Sequence, residues 1–290
     1  MIRILQWYFA YLARFMPRVS TRLAVRLFLT PGRYPVQSAA GRELLASAER
    51  RTLLTDAGSI VVYRWRSAGP RVLVLHGWSD CAANLGELVR RLLDEGYDVT
   101  APDLPAHGAS SGKRTNMREW LLAIRTLAVN TADWHAVVAH SLGAFAAATA
   151  TRRDVPQYGP AVRTDRLVLI APPNRSMDML RMFGGFLSIP ADILASAERE
   201  LSLIIHAQFS AFSTAHAVAE FSGDAMIIHD RDDQRVPFTH FEAIRNTAPN
   251  HYHVETSGLG HRRLLADDAT LNAIVGFLDG SPTEVARMSA

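Results

Sequence analysis

From residue 52 onward, short β-branched and aliphatic runs alternate with longer segments of helical periodicity, and few architectures accept that alternation. Strand, crossover helix and parallel strand can repeat only where helices cover a sheet, so the order argues for an α/β protein with a mostly parallel central sheet. RVLVLHGW (71–78) is a continuous apolar run ending in a turn, as expected of a central strand buried on both faces. Further strand patterns fall at 97–105, 135–141, 166–173, 225–232 and 251–258, with helical patterns at 82–95, 117–130, 142–150, 238–246 and 267–278. A hairpin signal around Asp56-Ala57-Gly58-Ser59 precedes them.

Between 174 and 223 the alternation stops, and helices rich in Met, Phe, Leu and Ala are expected there as an inserted lid. The expected division is an N-terminal amphipathic helical segment (1–40), a main domain (41–280) carrying that insertion, and a polar tail (281–290) that frays. In the N-terminal segment Ile4, Leu5, Tyr8, Phe9, Leu12, Phe15 and Met16 recur at helical spacing. Such a helix either docks on the body of the protein or lies at a lipid surface with Trp7 and Tyr8 at head-group level, a peripheral membrane contact.

Composition narrows the functions. With 48% hydrophobic residues and 20% charged, the chain can bury a large core, which excludes disorder. The net charge is only +3, Lys113 is the single lysine, and the arginines read as scattered among acids, so nucleic-acid binding is not expected. The lone Cys81 fits a reducing, cytoplasmic setting. Eleven histidines include no HExxH and no Cys/His grid, so neither a metal nor a cofactor is expected. No run of eighteen apolar residues suggests a membrane-spanning helix.

In an open parallel sheet, ligands bind beyond the carboxyl ends of the strands. Those ends carry His76-Gly77-Trp78, Asp103, His140-Ser141, the acids between Asp230 and Asp233, and Gly260-His261. Ala139-His140-Ser141-Leu142-Gly143 stands between an apolar strand and a helix of small residues, which suits a sharp turn that presents the Ser141 hydroxyl. A serine needs a base, and the base needs an orienting carboxylate. His261 after a glycine-rich turn and Asp233 at the head of Asp-Gln-Arg-Val-Pro supply both, in the order Ser, Asp, His.

These motifs make the chain resemble a serine α/β-hydrolase over about residues 52–279. His76-Gly77-Trp78 is similar to that family's HG-x turn, and the segment from Asp103 to Ser110 is similar to its D-x-P-G-x-G-x-S loop. The resemblance implies the α/β-hydrolase fold with a helical lid, and an acid at Asp233, with Asp232 the runner-up. Asp230 and Asp232 are read as solvated loop charges. The resemblance also implies an oxyanion hole of the Trp78 and Leu142 backbone N–H groups. His76 and His107 are expected to hold loops by hydrogen bonds, and His140 to point sideways from the elbow. Trp78, Met182, Phe183 and Phe186 are the expected substrate contacts; Met179, Phe209 and Phe212 are read chiefly as core.

The expected activity is hydrolysis of a small carboxylic ester with an apolar moiety through an acyl-enzyme. The alternatives are a thioesterase, an amidase, a C–C bond hydrolase or an acyltransferase with the same parts, or a non-catalytic binding protein on the same fold.

Overall fold

The buried runs become strands whose alternate side chains enter two separate cores. In the computed structural model, which describes residues 2–32, 39–129 and 134–281, the chain opens with helices α1 (Ile2–Tyr11), α2 (Pro17–Phe28) and α3 (Ala39–Ala46). Then follow the hairpin β1 (Glu49–Thr55) and β2 (Gly58–Trp65), β3 (Arg71–Leu75), α4 (Gly86–Asp94), β4 (Asp98–Asp103), α5 (Met117–Val129), β5 (Trp134–His140), α6 (Leu142–Thr151) and β6 (Thr164–Ile170). Three helices precede the next strand: α7 (Ser176–Leu187), α8 (Ala191–Ile205) and α9 (Thr214–Ala219). The chain closes with β7 (Asp224–Asp230), α10 (Thr239–Thr247), β8 (Tyr252–Thr256), α11 (Gly260–Arg263) and α12 (Asp268–Leu278). Residues 33–38 of the N-terminal segment, Asn130 of the expected 117–130 helix, and residues 282–290 of the expected tail lie outside the described residues.

The sheet has eight strands in the order β1-β2-β4-β3-β5-β6-β7-β8. β2 pairs antiparallel with β1 and with β4, and every other neighbouring pair is parallel. The mostly parallel sheet is what the alternation predicts, and its arrangement is the α/β-hydrolase one that the resemblance implies. Leu73, Leu75, Val137, Leu167 and Ile227 point to one core with α5 and α6. Val72, Val74, Val138, Val168 and Ile228 point to the other, with α4 and α12. The period-two alternation thus buries both faces of the central strands.

The N-terminal helices belong to this body. Leu5, Tyr8 and Phe9 of α1 and Ala24 of α2 share a third apolar cluster with Leu187, Ile189 and Ile193. Only part of the predicted apolar stripe turns inward, because the short helical turn Ala13–Phe15 and Pro17 redirect the chain after ten helical residues. No helix among the described residues is long and apolar enough to cross a membrane.

Candidate active site

Ser141 occupies a backbone conformation that L-residues avoid, with φ 55° and ψ −125° between β5 and α6. The turn persists because its surroundings fix it. The Ser141 N–H donates to the Ile170 carbonyl at 2.8 Å, and its own carbonyl accepts from Ala144 and Phe145. Gly143 is needed for close approach, since a Cβ there would fall 2.3 Å from the His76 carbonyl oxygen. Gly77 is confined in the same way, with 2.9 Å between its would-be Cβ and the Ser141 Cβ. The two loops that the sequence singles out are therefore pressed together at the carboxyl edge of the sheet.

His261 joins them. The Ser141 hydroxyl stands 3.0 Å from His261 Nε2, and His261 Nδ1–H donates to Asp233 Oδ2 at 2.7 Å. The other carboxylate oxygen of Asp233 accepts from the Arg235 and Val236 N–H groups at 2.8 and 2.9 Å. Burial pushes the Asp233 carboxyl upward, but the His261 contact and the two N–H donors outweigh it and hold the group below the usual carboxylate range. The imidazole is thus held between a hydroxyl and a buried anion, with Nε2 as the acceptor.

Three other histidines hold this arrangement in place. His76 donates from Nδ1 to the Gly77 carbonyl and accepts the Leu104 N–H at Nε2. His107 bridges the Pro105 carbonyl and the Ser79 N–H in the same way. His140 donates from Nε2 to the carbonyl of His261 at 2.9 Å, with the two rings 4.7 Å apart. Burial drives all three downward, His107 and His140 to about 3, so they stay neutral. None of the three touches the Ser141 hydroxyl.

Two sequence expectations need correction. Asp230 is fully buried rather than a solvated loop charge. Its carboxylate accepts the Leu259 and Gly260 N–H groups at 3.0 and 2.8 Å, the Asp232 N–H, and the Thr256 hydroxyl. It therefore clamps the glycine turn that precedes His261, and those donors hold its carboxyl below the usual range although burial pushes it up. Asp232 is exposed and accepts the Gly258 N–H, away from the imidazole. The position of Asp230, last in β7 and level with the glycine turn after the adjacent strand, is the signal that could have revealed it. Phe186 is the second correction. It lies on the outer side of α7, 58% exposed and absent from the cavity wall, because the helix turns Met179 and Phe183 inward instead and leaves Met182 at the rim, partly exposed.

That cavity measures about 350 Å³ and opens onto Ser141. Trp78, Leu142, Met179, Met182, Phe183 and Phe209 are among its mostly apolar walls. Leu27 to Thr30, from the end of α2, close it as well, with the Phe28 ring 5.3 Å from that of Phe183. The sequence points to Trp78 and the 174–223 segment for this wall and gives α2 no part in it. Thr115 adds a buried hydroxyl with no hydrogen-bond partner among the described residues. Beside Ser141, the N–H groups of Trp78 and Leu142 have no acceptor among the described residues. Leu142 opens α6, where the first N–H groups lack intrahelical partners. Arg262 pairs with the buried Asp80 at 3.0 Å and ties the His261 segment to the loop after β3. No cluster of His, Cys, Asp or Glu among the described residues suits a metal ion.

Known proteins share this layout. A family model described as alpha/beta hydrolase family matches residues 72–274. No curated protein matches the chain significantly. Among solved structures, a thermophilic esterase from the Planctomycetes species Thermogutta terrifontis with butyrate bound is 17% identical with a TM-score of 0.62, over 85% of this chain and 98% of its own. A putative lipase from Acinetobacter baumannii is 16% identical with a TM-score of 0.61, over 86% and 97%. The thioesterase domain of the curacin biosynthetic pathway is 20% identical with a TM-score of 0.57, over 80% and 99%. At such identities the likeness is one of fold.

Proposed function

Since the chain belongs to the alpha/beta hydrolase family, we propose that it is a serine hydrolase that cleaves a carboxylic ester with an apolar moiety through an acyl-enzyme. The observation that carries this reading is the continuous chain of hydrogen bonds from Asp233 through His261 to Ser141, at 2.7 and 3.0 Å, beside an apolar cavity.

In this mechanism Ser141 Oγ attacks the ester carbonyl while its proton passes to His261 Nε2. The imidazolium so formed is stabilised by the Asp233 carboxylate. The carbonyl oxygen becomes an oxyanion that accepts hydrogen bonds from the Leu142 N–H at the start of α6 and the Trp78 N–H in the loop after β3. Collapse expels the alcohol, which takes the proton from His261. Water then attacks the acyl-Ser141 ester with His261 again as base, and the acid departs. The helices from 174 to 223, with the end of α2, act as the lid over the acyl or alcohol chain.

Fluorophosphonate labelling tests the nucleophile: modification at Ser141 is expected, and labelling that persists in Ser141→Ala would refute it. A series of p-nitrophenyl esters graded in acyl length, with matched thioesters and amides, tests the bond cleaved. Faster turnover of the thioesters would replace ester by thioester in this reading.

A further inference from the structure

Most of the exposed apolar surface gathers on one side of the molecule. Of the thirteen large hydrophobic side chains that stand exposed among the described residues, eight fall between Ile2 and Val19 and two more, Met182 and Phe186, on α7. α1 rests on α7, where the Gln6 amide donates to the Phe186 carbonyl at 2.8 Å, so the two groups form one face. Leu5, Tyr8 and Phe9 anchor α1 from below. Ile4, Trp7 and Tyr11, at i, i+3 and i+7, point away from the body, and Phe15 follows; Ile4 and Phe15 are 70% and 71% exposed. A contiguous apolar face of this kind marks an interaction surface.

Charge identifies the partner. The arginines are not scattered among acids here: residues 1–42 hold seven arginines and no Asp or Glu, while the other 248 residues hold 24 basic and 28 acidic ones. Arg3, Arg14, Arg18, Arg22 and Arg26 are exposed and form no ion pair among the described residues. Arg18, Arg22 and Arg26 follow one another at i, i+4 and i+8 on α2, beside the apolar face. A second copy of this chain, met through a two-fold axis, would set this basic face against itself. An anionic surface with an apolar interior matches both features, and Trp and Tyr with Arg are the side chains that occupy such an interface.

We propose that this face docks the protein on an anionic lipid bilayer. α1 lies in the interfacial plane with Ile4, Trp7, Tyr11 and Phe15 below the head groups, and the α2 arginines contact lipid phosphates. Met182 belongs both to this face and to the cavity wall. An apolar molecule dissolved in the bilayer therefore has a continuous apolar path toward Ser141. The docking itself does not depend on the chemistry at Ser141.

The test is flotation of the full chain with vesicles of equimolar phosphatidylglycerol and phosphatidylcholine, against phosphatidylcholine alone, at low and high salt. Binding is expected only to the anionic vesicles and to weaken with salt. Arg18→Gln/Arg22→Gln/Arg26→Gln is expected to weaken it about a hundredfold, at about fivefold per arginine. Trp7→Glu/Phe15→Glu is expected to weaken it comparably or more, with an unchanged melting temperature because both side chains are exposed. Should that variant fail to fold, the arginine variant decides. Absence of binding to anionic vesicles, or binding that neither variant reduces, would overturn the proposal. So would a dimer in solution that Trp7→Glu/Phe15→Glu dissociates while vesicles remain unbound.

Discussion

The carboxyl edge of the sheet and the helices above it are built by different forces. At the edge, Ser141, His261 and Asp233 are each fixed by directional bonds to one another or to backbone. The cover made by α2, α7 and α8 meets the cavity with thioethers, phenyl rings and branched aliphatics, held by burial and dispersion. Directional bonds set positions within tenths of an ångström, whereas apolar contacts tolerate repacking. In the proposed mechanism the chemistry therefore falls to the rigid edge and substrate choice to the adaptable cover.

The largest expected effect is at the edge. Ser141→Ala should lower ester turnover on the order of 10⁶-fold with binding of a substrate analogue retained, measured by steady-state kinetics and calorimetry. Turnover within tenfold of the parent would remove the edge from the chemistry. Asp233→Asn should cost on the order of 10⁴-fold, while Asp232→Asn stays within a few-fold, since only Asp233 reaches the imidazole. The reverse ranking would mean that another carboxylate orients His261.

Stability gives the next contrasts. Asp230→Ala leaves the Leu259 and Gly260 N–H groups without their acceptor and should destabilise the protein by about 3–5 kcal/mol in urea denaturation. A loss below about 1 kcal/mol would show that the glycine turn holds itself. Acid probes the edge as well. His107 and His140 are held at about 3 by burial, with their neighbouring His76 and His261 adding to the shift, whereas in an unfolded chain they titrate near 6.5. Above that pH both states are neutral and the groups contribute nothing. Below it the unfolded chain binds protons that the native state refuses, so stability should fall between pH 6.5 and 3 by roughly 2.7 kcal/mol per pH unit for the two together. The lowered Asp230 and Asp233 carboxyls act in the same direction further down, because their stabilisation is present above the usual carboxylate range and disappears as they protonate. Urea midpoints from pH 7 to 4 check this, and a flat profile would contradict neutral buried histidines.

The smallest effect belongs to the cover. Met179→Ala enlarges the cavity without touching Ser141 and should shift the relative kcat/KM for long against short acyl chains by about tenfold, at little cost in stability. A uniform drop for all esters would instead make Met179 part of the edge.

The elbow was readable because its steric demands are local: small residues around Ser141 and an apolar strand before it. The strands were readable for the same reason, and the hairpin at Asp56-Ala57 stands where its turn residues lie. His261 follows its glycine-rich turn inside a short helix, α11, that the sequence pattern does not mark, because Asp230 and the His140 ring order the segment from outside it. Phe186 shows the same limit from the other side: at helical spacing it was as good a candidate for the wall as Phe183. Ala106 stands at the position of a glycine in the D-x-P-G-x-G-x-S loop and adopts the positive φ of 63° such a turn requires.

Determined by the sequence alone were the strand order in time, the turn chemistry and the residue types able to move a proton, because propensity, periodicity and turn sterics act over a few neighbours. Only the folded chain decided which acid orients His261, that Asp230 clamps its turn, and that α2 closes the cavity beside α7. Those outcomes depend on burial and on hydrogen bonds between residues far apart in the chain, and desolvation has no value until the packing around a group exists.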